Sequence, residues 1–337
     1  MGVDQGGELN TRRKLIVALG TGALAASLQC FAQRAAKIFR IGHLSGSGEM
    51  ASKPFVEAFR DGMRALGYIE AKNFVLEERY AEGMVDRLPV LAQELIHRNL
   101  DVLLVSTTPG NLAAKAATTT IPIVMVLVAD PVGAGIVQSL AKPGGNITGV
   151  TNIVAELSGK RLELIKEMVP TATRIAVIVN PDSQNATLQL QNAEAAARKL
   201  GVELRPVLEV RSAGELEKAF ETAIRTHSVA AIRMIDPLVF ILRKETAALA
   251  IRHRLPLIYP SKEDAEAGGL IAYGTNIPAQ YRQVATFVDK ILRGAKPADL
   301  PVEQPTVFEL VINMKTAKAL GIKIPNSILV RADKIIE

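Results

Sequence analysis

The chain of 337 residues has a single cysteine, Cys30, and no tryptophan. One thiol cannot close an internal disulfide, so a disulfide scaffold is excluded. Aromatic residues make up only 4%, which leaves little for the basic, aromatic-interleaved surface that nucleic-acid binding calls for. The 25 glycines follow no G-X-Y period, so a collagen-like chain is excluded. H-E-x-x-H, G-x-S-x-G, Walker A and paired-cysteine motifs are all missing. The run Leu15 to Leu28 is mildly apolar, but Gly20 and Gly22 interrupt it and it falls short of the about 20 residues a bilayer span needs. What is present is ordinary for a globular protein: 48% apolar and 22% charged residues. The length suits about two domains. The net charge of +6 is spread along the chain, with acidic residues among Lys160-Arg161 and Arg198-Lys199, as on a solvated surface.

The first 36 residues read as an address. Thr11-Arg12-Arg13-Lys14 precedes the apolar run, and Ala-rich sequence follows to Ala36. A basic start, a short apolar stretch and small residues near the end describe an export signal of the twin-arginine or the general secretory kind. Cys30 stands at the end of the run, but Gln29 occupies the position where lipoprotein processing wants a small residue. Cleavage after Ala32 is expected instead, leaving a mature chain without cysteine, as suits an oxidising exterior.

From Lys37 onward strands and helices alternate. Ile38 to Leu44 reads as a buried strand. Pro54 is expected to open a helix with Phe55, Phe59, Met63 and Leu66 at helical spacing, closed by Gly67. Strands are expected at Phe74–Tyr80, Asp101–Val105 and Ile121–Val128, with helices at about Asp86–Arg98 and Asn111–Ala117. Such alternation predicts an α/β fold with parallel sheets covered on both faces. The plan restarts at Arg174–Asn180. Arg40 and Arg174, Leu66 and Leu200, Gly67 and Gly201, and Pro122 and Pro256 are each 134 positions apart, whereas Pro109 and Pro237 differ by 128. These pairs indicate an internal duplication: two similar doubly wound lobes of about 120–135 residues.

In open parallel sheets ligands bind outside the carboxyl ends of the strands, and two such lobes frame a closable cleft. The strand ends carry Ser45-Gly46-Ser47-Gly48, Ser106-Thr107-Thr108 and Asp130 in one half. In the other they carry Asn180, Ser183, Asn185, Asp236, Tyr259 and Ser261. Ser106-Thr107-Thr108 before a helix suits a carboxylate, and Asp130 and Asp236 suit an amine. Each residue alone is also an ordinary helix cap. Gly46-Ser47-Gly48-Glu49-Met50-Ala51 fits the relaxed dinucleotide fingerprint. With Pro54 taken as the helix start, however, the glycines do not lead directly into the helix, and a nicotinamide-dependent enzyme is the lesser reading. His97, His227 and His253 fall near helix ends, His43 alone falls near the cleft, and no nucleophile–base pair is visible.

The ordered series R-I-G-H-L-S, L-V-S-T-T-P-G-N-L-A-A, D-P-V-G-A-G, P-G-G-N-I-T-G-V-T, V-N-P-D-S-Q-N-A, G-G-L-I-A-Y-G and I-L-R-G-A-K-P-A-D-L-P-V resembles the ABC-transporter substrate-binding proteins, in the family that includes tryptophan/tyrosine-type binding proteins. The similarity runs from Lys37 to Glu337. It implies a type I periplasmic binding fold: two Rossmann-like lobes, a hinge of three crossovers, and a small polar ligand delivered to an inner-membrane permease. The crossovers would follow Val150, lie near Tyr273–Asn276, and lie at Pro301–Pro305. The chain then divides into an export signal (1–36), an N-terminal lobe (37–150 and 275–302) and a C-terminal lobe (151–274 and 303–337). The resemblance implies ligand contacts at Ser45, Thr107, Thr108, Asp130, Asn185, Asp236 and Tyr273, and a monomeric periplasmic receptor without enzyme activity, cofactor, metal or nucleic-acid partner. The ligand would be an amino acid or a related organic acid. Only Tyr259 and Tyr273 are placed near the cleft, so a flat stacking site for a sugar is not expected. A sugar-sensing repressor would need a helix-turn-helix ahead of the first strand, which Leu15–Leu28 does not provide. A receptor docking on a sensor rather than a permease would look the same in sequence.

Overall fold

The central strands of the first half are short runs of branched or aliphatic residues, VLLVS and IVMVLV, and the computed structural model arranges them by the period-two rule. The structure describes Met1, Gly2 and residues 37–337 except Ile153 and Gln184; all but the first two residues of the expected export segment lie outside the described residues. Strands β1 (Phe39–Ser45), β2 (Phe74–Tyr80), β3 (Val102–Ser106), β4 (Ile123–Val128) and β5 (Ile147–Thr151) form one parallel sheet in the order β2-β1-β3-β4-β5. Val102 and Leu104 enter the core on one face, and Leu103 and Val105 enter the core on the other.

The second sheet repeats this plan and extends it. It contains β6 (Arg174–Val179), β7 (Glu203–Glu209), β8 (Ala230–Arg233), β9 (Leu257–Tyr259), β10 (Ile271–Thr275), β11 (Phe308–Asn313) and β12 (Lys334–Ile336), in the order β12-β11-β10-β9-β8-β6-β7. Among the described residues only the β10–β11 pairing is antiparallel. The duplication reaches individual hydrogen bonds. Gly67 and Gly201 both have positive φ, and each is followed by an N–H that bonds five residues back: Tyr68 to Met63 and Val202 to Ala197. This is the Schellman closure that favours glycine. The Pro122 carbonyl accepts from Leu103 at 2.9 Å, and the Pro256 carbonyl accepts from Ala231 at 2.8 Å.

Helices α1 (Glu49–Ala65), α2 (Leu88–Ile96) and α3 (Thr108–Ala117) follow the first three strands of the first sheet; α2 is preceded by a 3-10 turn at Val85–Arg87. Two helices start earlier than expected. α1 begins at Glu49, five residues before Pro54, and α3 begins at Thr108 rather than Asn111. Pro54 removes one N–H near the start of α1, and both its own ring and Met50, the residue one turn before it, are solvent-exposed. The orphaned carbonyl can therefore be hydrated, and the helix tolerates the proline.

After β5 the chain leaves the first sheet at Asn152 and enters α4 (Val154–Met168). α5 (Ala186–Leu200), α6 (Leu216–Arg225), α7 (Pro237–Ile241), α8 (Arg243–Arg252) and α9 (Lys262–Glu266) then accompany the second sheet. After β10, Asn276 caps α10 (Ile277–Leu292), accepting from the Ala279 N–H at 2.7 Å. This helix returns to the first sheet, where Tyr281, Val284, Phe287 and Val288 join its core. Gly62 of α1 lets α10 come close, since a β-carbon there would lie 2.8 Å from Ala285 Cβ and 2.9 Å from the Arg282 carbonyl. The third passage runs through Pro301–Pro305 into β11, followed by α11 (Met314–Leu320) and α12 (Asn326–Leu329). The passages are laced together: Thr151 N–H bonds Glu303 O at 2.9 Å, Glu303 N–H bonds Gly149 O at 3.0 Å, and Asn276 N–H bonds Val307 O at 3.1 Å. Two doubly wound lobes joined by three crossings are the fold that the sequence led us to expect. No helix among the described residues is long and apolar enough to cross a membrane.

Candidate functional site

The carboxyl ends of both sheets open onto one cavity of about 270 Å³. That is near the small end of the about 300–1,000 Å³ typical of ligand pockets. Its first-lobe wall begins with Ser45 at the end of β1. The Ser45 hydroxyl meets those of Ser52 at 3.1 Å and Ser106 at 3.2 Å, and accepts from the Ser47 N–H at 3.1 Å. These buried hydroxyls satisfy one another and give the floor a fixed polar surface.

Beyond Ser106 the backbone is strained. Thr107 has φ 70° and ψ 156°, a region that is almost reserved for glycine and costs about 1–3 kcal/mol for other residues. Asn111 holds the turn, donating to the carbonyls of Val105 at 3.1 Å and Thr107 at 2.8 Å. The Thr107 hydroxyl is buried without a partner and faces Gly46 and Gly110, whose β-carbons would lie 3.0 and 3.4 Å from it. α3 starts immediately afterwards with no side-chain cap. Its first N–H groups, with their share of the helix dipole, make the Thr108 corner favourable for an anion.

The second-lobe wall has the opposite character. Asp236, at the matching position before Pro237, accepts from the N–H groups of Leu238 at 2.9 Å and Val239 at 3.2 Å. Asn180 at the end of β6 adds a third donor at 3.3 Å. Burial pushes the Asp236 carboxyl above the usual carboxylate range, opposed by these donors and by Ser183. Next to it, Ser261 donates to the Asp264 carboxylate at 2.8 Å. Asp264 is paired with Arg233, both fully buried, and Arg233 also bonds the Val239 carbonyl at 2.6 Å. Arg233 thereby ties together α7 and the Ser261 loop.

The two walls touch. Asn185 does not cap its own helix; its amide crosses the cleft and donates to the Thr108 hydroxyl at 3.1 Å. A β-carbon on Gly46 would lie 3.6 Å from Pro237, and one on Gly83 would lie 3.1 Å from Ile241. Phe240 of α7 reaches into the first lobe, 6.1 Å from Phe55, and Phe55 stacks on Tyr281 at 5.7 Å. These three rings, with Val85, Leu127, Ile235 and Ile277, make the lining between the polar corners largely apolar.

Five of the seven positions named from sequence line the cavity: Ser45, Thr107, Thr108, Asn185 and Asp236. Asp130 and Tyr273 do not. The Asp130 carboxylate closes its own turn, accepting from Gly133 N–H at 2.8 Å. Tyr273 lies within β10 on the same face as Ile271 and packs into the second lobe's core, while its carbonyl accepts from Arg161 Nε at 2.9 Å. Tyr259, placed near the cleft from sequence, is fully buried in the core. The sequence reading missed Phe55, Phe240 and Tyr281 as cleft residues, because each sits on a helix whose apolar stripe reads as core. Phe240, one turn after the Asp236-Pro237 strand end, was the findable one.

The dinucleotide reading fails for a reason other than the one first given. Gly46-Ser47-Gly48 does lead straight into α1, but the Glu82 carboxylate holds that helix start, accepting from Glu49 N–H at 3.1 Å, and a β-carbon on Gly48 would collide with it. A pyrophosphate would meet a negative charge where it needs free N–H groups. Among the described residues no cluster of three or more His, Cys, Asp and Glu side chains could hold a metal ion.

Two doubly wound lobes closing on a small cavity at their strand ends define the class of two-lobed solute receptors. The chain belongs to the ABC transporter substrate binding protein family, whose model matches residues 49–336. It is 28% identical over 277 residues to a tyrosine-binding protein of Clostridioides difficile (strain R20291), covering 82% of this chain and 77% of that protein. A crystal structure of a conserved domain protein from Vibrio cholerae superposes with a TM-score of 0.83 at 29% identity, over 89% of this chain and 100% of that one. An ABC domain from Streptococcus pneumoniae in complex with L-Trp superposes with a TM-score of 0.81 at 26% identity, again over 89% and 100%. The protein is accordingly an extracytoplasmic substrate-binding component of an ABC transporter, with a small-molecule ligand and a permease as partner.

Proposed function

We propose that the protein is a periplasmic receptor for a free α-amino acid with a flat, apolar side chain. The observation that carries this reading is the chemical polarity of one cavity. An uncapped helix start at Thr108 faces a wall that carries the Asp236 carboxylate, and the rings of Phe55, Phe240 and Tyr281 lie alongside. A carboxylate suits the N–H groups and hydroxyl at the start of α3, an ammonium suits Asp236, and a side chain lies against the rings. Ser45, Thr107, Thr108, Asn185 and Asp236 form or shape the contacts. Asp130 serves as a turn cap and Tyr273 as a second-lobe anchor rather than as contacts. The relatives named for tyrosine and crystallised with L-Trp support the same class of ligand.

The protein acts as a monomer, with residues 1–36 as the export signal, 37–150 with 275–302 as one lobe and 151–274 with 303–337 as the other. Closure of the lobes presents the loaded form to the permease. The test is thermal unfolding of the mature chain against the twenty amino acids and a panel of small organic acids. A ligand that binds only the folded state raises the midpoint by mass action. L-tyrosine or L-tryptophan is expected to give the largest rise, with one-to-one stoichiometry by calorimetry. A panel in which no amino acid raises the midpoint contradicts the reading.

A further inference from the structure

His43 lies at the centre of β1, behind the cleft, and the contacts described above leave it unused. It is completely buried, and neither ring nitrogen has a hydrogen-bond partner. Its ring stands edge-on to Tyr80 at 5.8 Å and to Tyr281 at 6.1 Å. Tyr281 in turn stacks on Phe55 and lines the cavity. One tyrosine ring therefore separates His43 from the ligand space. An unpaired buried imidazole costs stability that an apolar ring of similar shape would not.

The polar and charged groups around it are few. On β2 they are Glu78 and Tyr80, whose hydroxyl donates to the Glu78 carboxylate. On α1 Arg60 pairs with Glu78 and, at 2.7 Å, with Glu70. On α10 there is Tyr281, which lines the cavity together with Ser106 of β3. The Glu78 carboxylate is thus occupied from two sides.

We propose that His43 is a positioning residue for ligand binding: its neutral ring holds Tyr281 against Phe55, and protonating it displaces Tyr281 and weakens binding in acid. The proposal rests on the reading that this cleft binds an amino acid. A proton on this ring creates a buried cation whose nearest counter-charge, Glu78, is already engaged by Arg60 and Tyr80. The ring must turn towards Glu78 or admit water, and either movement withdraws support from Tyr281. Burial keeps the ring neutral at ordinary pH and lowers its pKa to about 4, with Glu78 pulling upward and Arg60 downward.

Two measurements test this. Calorimetry with L-tyrosine and L-tryptophan at pH 7 and pH 3, below the His43 midpoint, compares the parent with His43→Phe, which fills the space without titrating. The parent is expected to lose at least fivefold more affinity than the variant over this interval, since Asp236 titrates in both. Equal losses overturn the proposal. NMR of the ligand-free parent follows the His43 and Tyr281 ring signals through the acid titration and needs no variant to fold. The Tyr281 signals are expected to move with the His43 midpoint; Tyr281 signals that stay fixed through that midpoint overturn the proposal even if neither amino acid binds. If neither amino acid binds while the Tyr281 signals do follow His43, the fault lies with the assigned ligand and not with His43.

Discussion

The two lobes share strand order, helix endings and even single hydrogen bonds, yet at one matching corner they present opposite chemistry. Pro109 and Pro237 each follow a central strand and sit at the start of a helix. Ahead of Pro237, Asp236 caps its helix with its own side chain and brings a carboxylate to the cleft. Ahead of Pro109, Thr108 leaves the helix start uncapped, and Thr107 holds a strained backbone to aim it. One scaffold thus offers a negative corner in one lobe and an electropositive one in the other. A duplicated fold becomes a site for a molecule with two opposite charges by changing which residue precedes a proline.

That contrast can be broken from either side. The largest effect is expected at the negative corner. Asp236→Ala should lower affinity for an amino acid about 100-fold, in line with the loss of a charge-assisted hydrogen bond, and cost about 1 kcal/mol of stability through the lost cap. Calorimetry and denaturant unfolding read the two separately. The pH dependence has a definite sign here. Ammonium binding needs the ionised carboxylate, and burial raises the pKa of Asp236. Affinity should therefore fall as pH falls, beginning at a higher pH than for an ordinary aspartate.

Phe240→Ala removes the ring that the second lobe lends to the first. It should weaken binding of an aromatic amino acid about tenfold while affecting a small aliphatic one much less, as aromatic contacts carry about 0.5–1.5 kcal/mol beyond their area. At the electropositive corner Thr108→Val deletes the hydroxyl that receives Asn185, and an about fivefold loss is expected, the worth of one neutral hydrogen bond. The smallest change concerns strain. Thr107→Gly should raise the stability of the ligand-free protein by about 1 kcal/mol and lower affinity a few-fold, because the aimed helix start becomes mobile. A variant less stable than the parent would contradict that account of Thr107.

The sequence made much of this legible, and the limits have physical causes. The alternation of short aliphatic strands with helices, and the repeated Leu-Gly and Ile/Leu-Pro pairs, point to two doubly wound lobes because those residues answer to backbone geometry alone. The polar strand ends are legible for the same reason. Phe55 and Phe240 are not, since an aromatic residue on an amphipathic helix looks the same whether it faces the core or the cleft. Tyr273 shows the converse: β-strand parity puts it on the face of Ile271, which a motif match cannot see. Pro54 misplaced a helix start because a proline in the second turn of an exposed helix is affordable once water reaches the carbonyl it strands.

The most direct test of the opposed corners is a calorimetric cycle. Parent and Asp236→Ala are titrated with the preferred amino acid and with its deaminated acid, which keeps the carboxylate but lacks the ammonium. The parent should prefer the amino acid about 100-fold, and Asp236→Ala should bind the two alike, near the parent's affinity for the deaminated acid. A variant that keeps the full preference for the amino acid would show that the ammonium is recognised elsewhere.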